Sequence, residues 1–266
     1  MEKFQKYCLS FILVILYTNV TAQVNCNIFE DENCKKACEI SNKAAEYQGF
    51  NFSQKSFDKA IELCPGFDYA YSEKSVPYLK RGDFVTWKKL IDKAVELDPK
   101  KNLGYRGWCK YQFLRDYKGA IQDIEALEKI YPTGYLGYSA NGDYELHIAK
   151  AICYSALGQK AKAISIIENQ LAKKDHNVGL FDYYQLGVTY FELGKYDKAL
   201  ENFEKQSKLN DFAENIYYRS KVSKVRNKDY LDLKKLALKS YDEGKAMKDG
   251  YTHHYNKVYR TQIEEL

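Results

Sequence analysis

Proline is scarce in this chain, at four residues in 266, and no low-complexity tract is present. Long disordered linkers are therefore excluded, and one continuous, elongated domain is expected. Long apolar runs are missing too. The greasiest stretch, Leu9 to Tyr17, falls well below the ~20 apolar residues that cross a bilayer, so no stable membrane insertion is expected. Histidine appears only at positions 147, 176, 253 and 254. The pair His253-His254 would project about 100° apart on a helix, which does not suit a single metal ion. The chain has no Gly-x-Ser-x-Gly elbow, phosphate-binding loop, dinucleotide fingerprint or His-Glu-x-x-His pair. No catalytic residue, cofactor or metal site is expected, and the protein is read as a non-enzyme. A net charge of +5 over this length is mild, and no nucleic-acid partner is expected.

What the chain does have is a period. Tyr183-x-x-Leu186-Gly187-x-x-Tyr190-x-x-x-Gly194-x-Tyr196-x-x-Ala199-Leu200 has weaker copies about every 34 residues. Pro65, Pro99 and Pro132 lie 34 and 33 residues apart, each closing a segment of the type Ala60-Ile61-Glu62-Leu63-Cys64-Pro65. Proline lacks the amide hydrogen and clashes with the preceding turn, so each is read as a helix stop. Turns recur upstream at Gly82-Asp83-Phe84, Arg115-Asp116-Tyr117, Gly158-Gln159-Lys160 and Gly194-Lys195-Tyr196. Apolar residues at Ala163, Ile164 and Ile167, and again at Ala199, Leu200 and Phe203, follow helical spacing. A unit of this length is one pair of helices. It cannot bury its own apolar face and needs stacked neighbours.

On these residues the chain resembles the tetratricopeptide repeat family, with Tyr183, Leu186, Gly187, Tyr190, Gly194, Ala199 and Phe203 at the family's positions. The resemblance implies an all-α fold: a right-handed α-solenoid of about six stacked helix-turn-helix units with a C-terminal capping helix. The units are 34–66, 68–100, 101–134, 144–177, 180–212 and a degenerate 214–246. Residues 23–33 form a lead-in and 247–266 the capping helix, for which Tyr255, Val258, Tyr259 and Ile263 have helical spacing. The pattern has departures: Trp87 and Leu233 replace small residues, and Asp175 and Asp211 replace the closing proline. The glycine-rich stretch 134–143 interrupts the period and reads as a loop.

Residues 1–22 read as a signal peptide. Lys3 and Lys6 precede the short apolar run, and Val20-Thr21-Ala22 ends it. A secreted or periplasmic, soluble protein is expected. Without Cys8, six cysteines remain, an even number suited to disulfides. Antiparallel helices within a repeat bring Cys64 near Cys34 or Cys38, leaving the other for Cys26, so these four are candidates to staple an N-terminal cap. Cys34 and Cys38 share one helix face but have no further metal ligand nearby. Cys109 and Cys153 read as buried apolar residues.

The resemblance also implies an inner face lined by each unit's first helix. Mapping one stripe of the best unit onto the others gives Tyr69, Tyr105, Phe113, Phe181, Tyr184, Phe191 and Tyr218 as partner-binding residues. The expected function is a scaffold or adaptor that binds a segment of a partner protein in this aromatic-lined groove. The tyrosine excess, 25 residues, suits both helix seams and recognition surfaces. The alternative is binding of an acidic glycan or anionic surface by the basic C-terminal region, in which Lys221, Lys224, Arg226, Lys228, Lys234, Lys235, Lys239, Lys245 and Lys248 are concentrated.

Overall fold

A computed structural model describes residues 23–132 and 134–266; the leader reading falls on residues outside this range. Thirteen α-helices succeed one another among the described residues: α1 (Glu32–Ala45), α2 (Asn51–Leu63), α3 (Asp68–Lys80), α4 (Phe84–Leu97), α5 (Pro99–Cys109), α6 (Tyr117–Ile130), α7 (Leu146–Ala156), α8 (Lys160–Leu171), α9 (Asp182–Glu192), α10 (Tyr196–Leu209), α11 (Ala213–Val225), α12 (Leu231–Asp242) and α13 (Arg260–Glu264). From α1 to α12 each odd-numbered helix packs chiefly on the even-numbered helix after it, and each pair then stacks on the next. The architecture is an all-helical solenoid.

The turns explain why the helices begin where they do. Asp31, Asp83, Asp98 and Asp116 each accept a hydrogen bond from the backbone amide three residues on, capping α1, α4, α5 and α6. Gly82 and Gly194 adopt φ of +84° and +69°, the left-handed geometry that reverses the chain between paired helices. Pro99 differs from the expected stop. It is the first residue of α5, where its missing amide hydrogen costs nothing, and Asp98 both closes α4 and caps α5.

Small residues set the spacing inside the stack. Ala60, Ala94, Ala120, Ala163, Ala199 and Ala237, one from each even-numbered helix, are all fully buried. Gly187 of α9 lies so close to the Phe203 ring that an added Cβ would stand 2.5 Å from its Cε1. Trp87, in place of a small residue, is buried at 1% exposure within the main core. Polar joints also recur at the repeat distance. Asn102 donates to Asp68 at 2.8 Å, and the Ser155 and Thr189 hydroxyls meet at 3.3 Å; both pairs are 34 residues apart.

Each end of the stack has its own small core. At the N-terminal end, disulfides join Cys26 to Cys38 and Cys34 to Cys64. They tie the lead-in to α1, and α1 to the end of α2, around Phe57, Ala60 and Phe67. Cys109 and Cys153 are buried free thiols, and burial pushes both pKa values upward. At the other end Ile263 of α13 packs with Ala213, Ile216 and Ala237.

Two segments add detail to the solenoid. Residues 134–143 form a tight hairpin-like loop, in which the Ser139 amide donates to the Tyr144 carbonyl at 2.7 Å and the Leu146 amide to the Gly137 carbonyl at 3.0 Å. The capping helix is much shorter than its apolar spacing predicts. Only Arg260–Glu264 is helical, and residues 245–259 run as irregular chain. The reason is tertiary: side chains from α9, α11 and the end of α5 take the hydrogen bonds that a helix would have made within itself.

Candidate partner-binding groove

The seven aromatic residues expected to line the groove fall into three groups. Phe181, Tyr184, Phe191 and Tyr218 come together through α9 and α11. Tyr184 lies 5.8 Å from Tyr218 between ring centroids, Phe191 lies 5.4 Å from Tyr218, and Phe212 bridges Phe181 and Tyr184 at 5.3 and 5.1 Å. Tyr105 and Phe113 flank the buried Trp108 at 6.0 and 5.5 Å. Tyr69 stands apart, near Phe67 of the N-terminal core.

Two members of the first group, Phe181 and Tyr184, are closed off, whereas Phe191 and Tyr218 are half-buried. Tyr184 is 0% and Phe181 7% exposed, because the irregular segment 247–258 lies across them. This corrects the expectation of an exposed lining there. The cover is polar as well as apolar. The Tyr184 hydroxyl donates to the Asn256 carbonyl at 2.5 Å. Gln185 Nε2 donates to the Tyr255 carbonyl at 3.2 Å, and its Oε1 accepts from Asn256 Nδ2 at 2.8 Å. The Thr252 hydroxyl donates to the Gln112 carbonyl at 3.1 Å, and the Arg115 guanidinium donates to the His253 carbonyl. The His254 ring enters a box formed by Tyr144 and Phe181, at centroid distances of 6.3 and 5.2 Å. Glu214, fully buried on α11, accepts the Met247 amide at 3.1 Å and the Lys257 ammonium at 3.3 Å. Burial pushes its pKa upward, against the pull of these donors.

Sequence reasoning overlooked Gln185, Gln112, Arg115 and Glu214. A polar residue between two stripes of buried aromatics is a usable signal for Gln185, since burying an amide costs energy unless it is bonded. Arg115 offers no such signal. It gains its role from a π-helical turn, Lys110–Leu114, which ends α5 and leaves Arg115 at φ +55°.

Tyr69 and Tyr105 lie toward the N-terminal end of the face, on α3 and α5. Both are half-buried and flank the Glu73 carboxylate, which accepts a hydrogen bond from Gln48. Burial is the main cause that raises Glu73 and lifts Tyr69 to about 12. Beside Tyr105 opens a cavity of about 400 Å³ lined by Lys100, Tyr131, Leu136, Tyr138 and Leu146.

The basic C-terminal region is partly neutralised within the chain. Arg226 pairs with Asp197, Lys235 with Asp232, and Lys239 and Lys245 with Glu243, while Lys224 and Lys234 donate to carbonyls of Leu266 and Glu264. Lys221 sits over the rings of Phe191, Tyr217 and Tyr218, and its pKa is lowered by desolvation. No group of three metal-ligating side chains occurs among the described residues, and none of their helices is long and apolar enough to cross a membrane.

Comparison with known proteins agrees with this architecture. A tetratricopeptide repeat family model matches residues 181–210, which hold α9 and α10. The fold is similar to that of PilW, described as a widely conserved type IV pilus biogenesis factor, at 16% identity and a TM-score of 0.61, covering 78% of this chain and 94% of that one. It is also similar to a tetratricopeptide repeat protein from Parabacteroides merdae, at 15% identity and a TM-score of 0.57, covering 86% of this chain and 82% of that one. In sequence, mouse serine/threonine-protein phosphatase 5 is 26% identical over 156 residues, 57% of this chain. The match spans only 28% of that phosphatase's own length. The tetratricopeptide repeat signature is thus matched on α9 and α10, and the stack around them shares the fold of solved repeat proteins.

Proposed function

We propose that the protein is an exported scaffold that binds an extended segment of a partner protein along the face of its odd-numbered helices, starting toward the N-terminal end. The observation that carries this reading is the cavity of about 400 Å³ beside the half-buried Tyr105, with Tyr69 and Glu73 near it. Two tyrosines provide rigid, amphipathic contact area, and the carboxylate between them offers a place for a cationic side chain. The basic leader, the apolar run after it and the two disulfides support export. The acidic-glycan alternative has less support, because four of the nine basic residues on which it depends are ion-paired within the chain and Lys221 is held over aromatic rings.

The test is affinity capture from the native envelope and exported fractions with the wild type and with Tyr69→Ala/Tyr105→Ala, followed by mass spectrometry. Loss of two anchor aromatics, each worth about 2 kcal/mol at an interface centre, lowers affinity by roughly a thousandfold. A partner captured equally by both chains refutes the assignment. Capture that collapses at raised salt with both chains would favour the charged surface instead.

A further inference from the structure

We infer that residues 247–258 are a displaceable pseudo-ligand: they hold shut the half of the groove over α9 and α11 that otherwise takes a partner segment presenting a planar ring, a second aromatic and an amide in succession at a turn. This rests on the proposed partner-binding role of the same face.

The contacts are those of a bound peptide. Side chains fixed on the solenoid donate to three of the four main-chain carbonyls of residues 253–256, those of His253, Tyr255 and Asn256, so the segment is held by its backbone. Its side chains then fill separate places. His254, 3% exposed, occupies the box of Tyr144 and Phe181, Tyr255 meets Tyr117 at 6.0 Å, and Asn256 returns a bond to Gln185. The His254-Tyr255-Asn256 order therefore states what the groove accepts.

The fit is incomplete. Under the segment the Gln112 side chain, 1% exposed, has no partner for either its oxygen or its nitrogen among the described residues. The Tyr111 hydroxyl and His254 Nδ1 also have no partner among the described residues. Buried polar groups without partners cost stability, so the segment is retained at a disadvantage that a better-matched chain would not share. These groups surround the π-helical turn and the left-handed Arg115, local geometries that concentrate at ligand-binding sites.

Tethering explains how an imperfect ligand stays bound. A linked segment acts at an effective concentration of order 1 mM, so a free peptide with a Kd of about 10 μM would seem about a hundredfold weaker against the intact chain.

The experiment uses the full chain. A fluorescent synthetic peptide of residues 249–259 is titrated against the wild type and against His254→Ala/Asn256→Ala, which loosens the segment and leaves the groove intact. Binding to the variant at least about tenfold tighter than to the wild type is expected. Adding Gln185→Leu in the variant background should abolish it. Equal or undetectable binding to both chains overturns the proposal. Loss of helical circular dichroism in the variant also overturns it, because the segment would then be part of the fold. Concentration-dependent dimers of the variant, in place of peptide binding, would assign the groove to a second copy and overturn it as well. Tyr69→Ala/Tyr105→Ala should leave peptide binding unchanged, so failure here and failure of partner capture are separate results.

Discussion

Removing the Cys34–Cys64 bond with paired alanine substitutions should release the N-terminal helix pair without unfolding the rest of the solenoid. The bond joins positions 30 residues apart and holds the start of α1 against the end of α2. A loop of that length carries a closure entropy of about 3.6 kcal/mol at 25 °C in the chain-entropy description. The first pair can spare little of this, since it stacks on α3 on one side and no helix pair among the described residues lies on the other. Cys26–Cys38 remains, but it ties only the lead-in to α1 and does nothing for α2. Hydrogen exchange read by mass spectrometry resolves the effect by helix. Amides of α1 and α2 should exchange about 400-fold faster than in the wild type, while those of α9 and α10 stay unchanged. An increase below about tenfold would show that the core around Phe57 and Phe67 holds the pair without the bond, and the stapling argument would fail.

Other expectations follow from single contacts. Gly187→Ala places a methyl 2.5 Å from Phe203 and should cost about 1–3 kcal/mol, seen as a lower Tm, whereas Gly66→Ala, with no atom within 4 Å, should not. Asp123 is buried against Arg106, at 2.9 and 2.7 Å, and Lys110 at 2.8 Å. Asp123→Ala strands Lys110 and leaves Arg106 with Asp92 alone, and should destabilise by about 3 kcal/mol in denaturant titration, far more than Asp232→Ala at the exposed Lys235 pair. Burial raises Glu214 above its ordinary value of 4.5, so the folded chain keeps this proton longer than the unfolded chain. Its contribution therefore favours folding below the ordinary value and declines as pH rises from there through the raised one. Thermal melts across that window should show Glu214→Gln gaining on the wild type as pH rises; a difference that does not vary with pH refutes the argument.

The helix pairs were legible because the information for them is local and repeated. Aspartate caps, turn glycines and the buried alanine of each second helix recur along the chain, and every copy restates the same geometry. The aromatic stripe of α9 could be placed on a helix face in the same way. Whether that face was open could not be read locally. Its state depends on Gln185 and Tyr184 bonding to Tyr255 and Asn256, some 70 residues away, and neither partner carries a pattern that announces the contact. The helical spacing of Tyr255, Val258, Tyr259 and Ile263 misleads for a related reason. Burial of Val258 and Ile263 is real, but they are buried on either side of a break at Tyr259 rather than along one continuous helix. The short loop at 134–143 was recognisable from its glycines, whereas its contact with Asp249 through Asn141 was not.

The polar joints at Asp68–Asn102 and Ser155–Thr189 have a consequence for how such a chain can change length. Because each joint links positions one module apart, inserting or deleting a whole module that holds neither partner leaves both joints intact. Gaining or losing one residue inside a first helix would rotate the donor about 100° away and break the joint. The frame is therefore free to grow in whole modules and resists smaller changes.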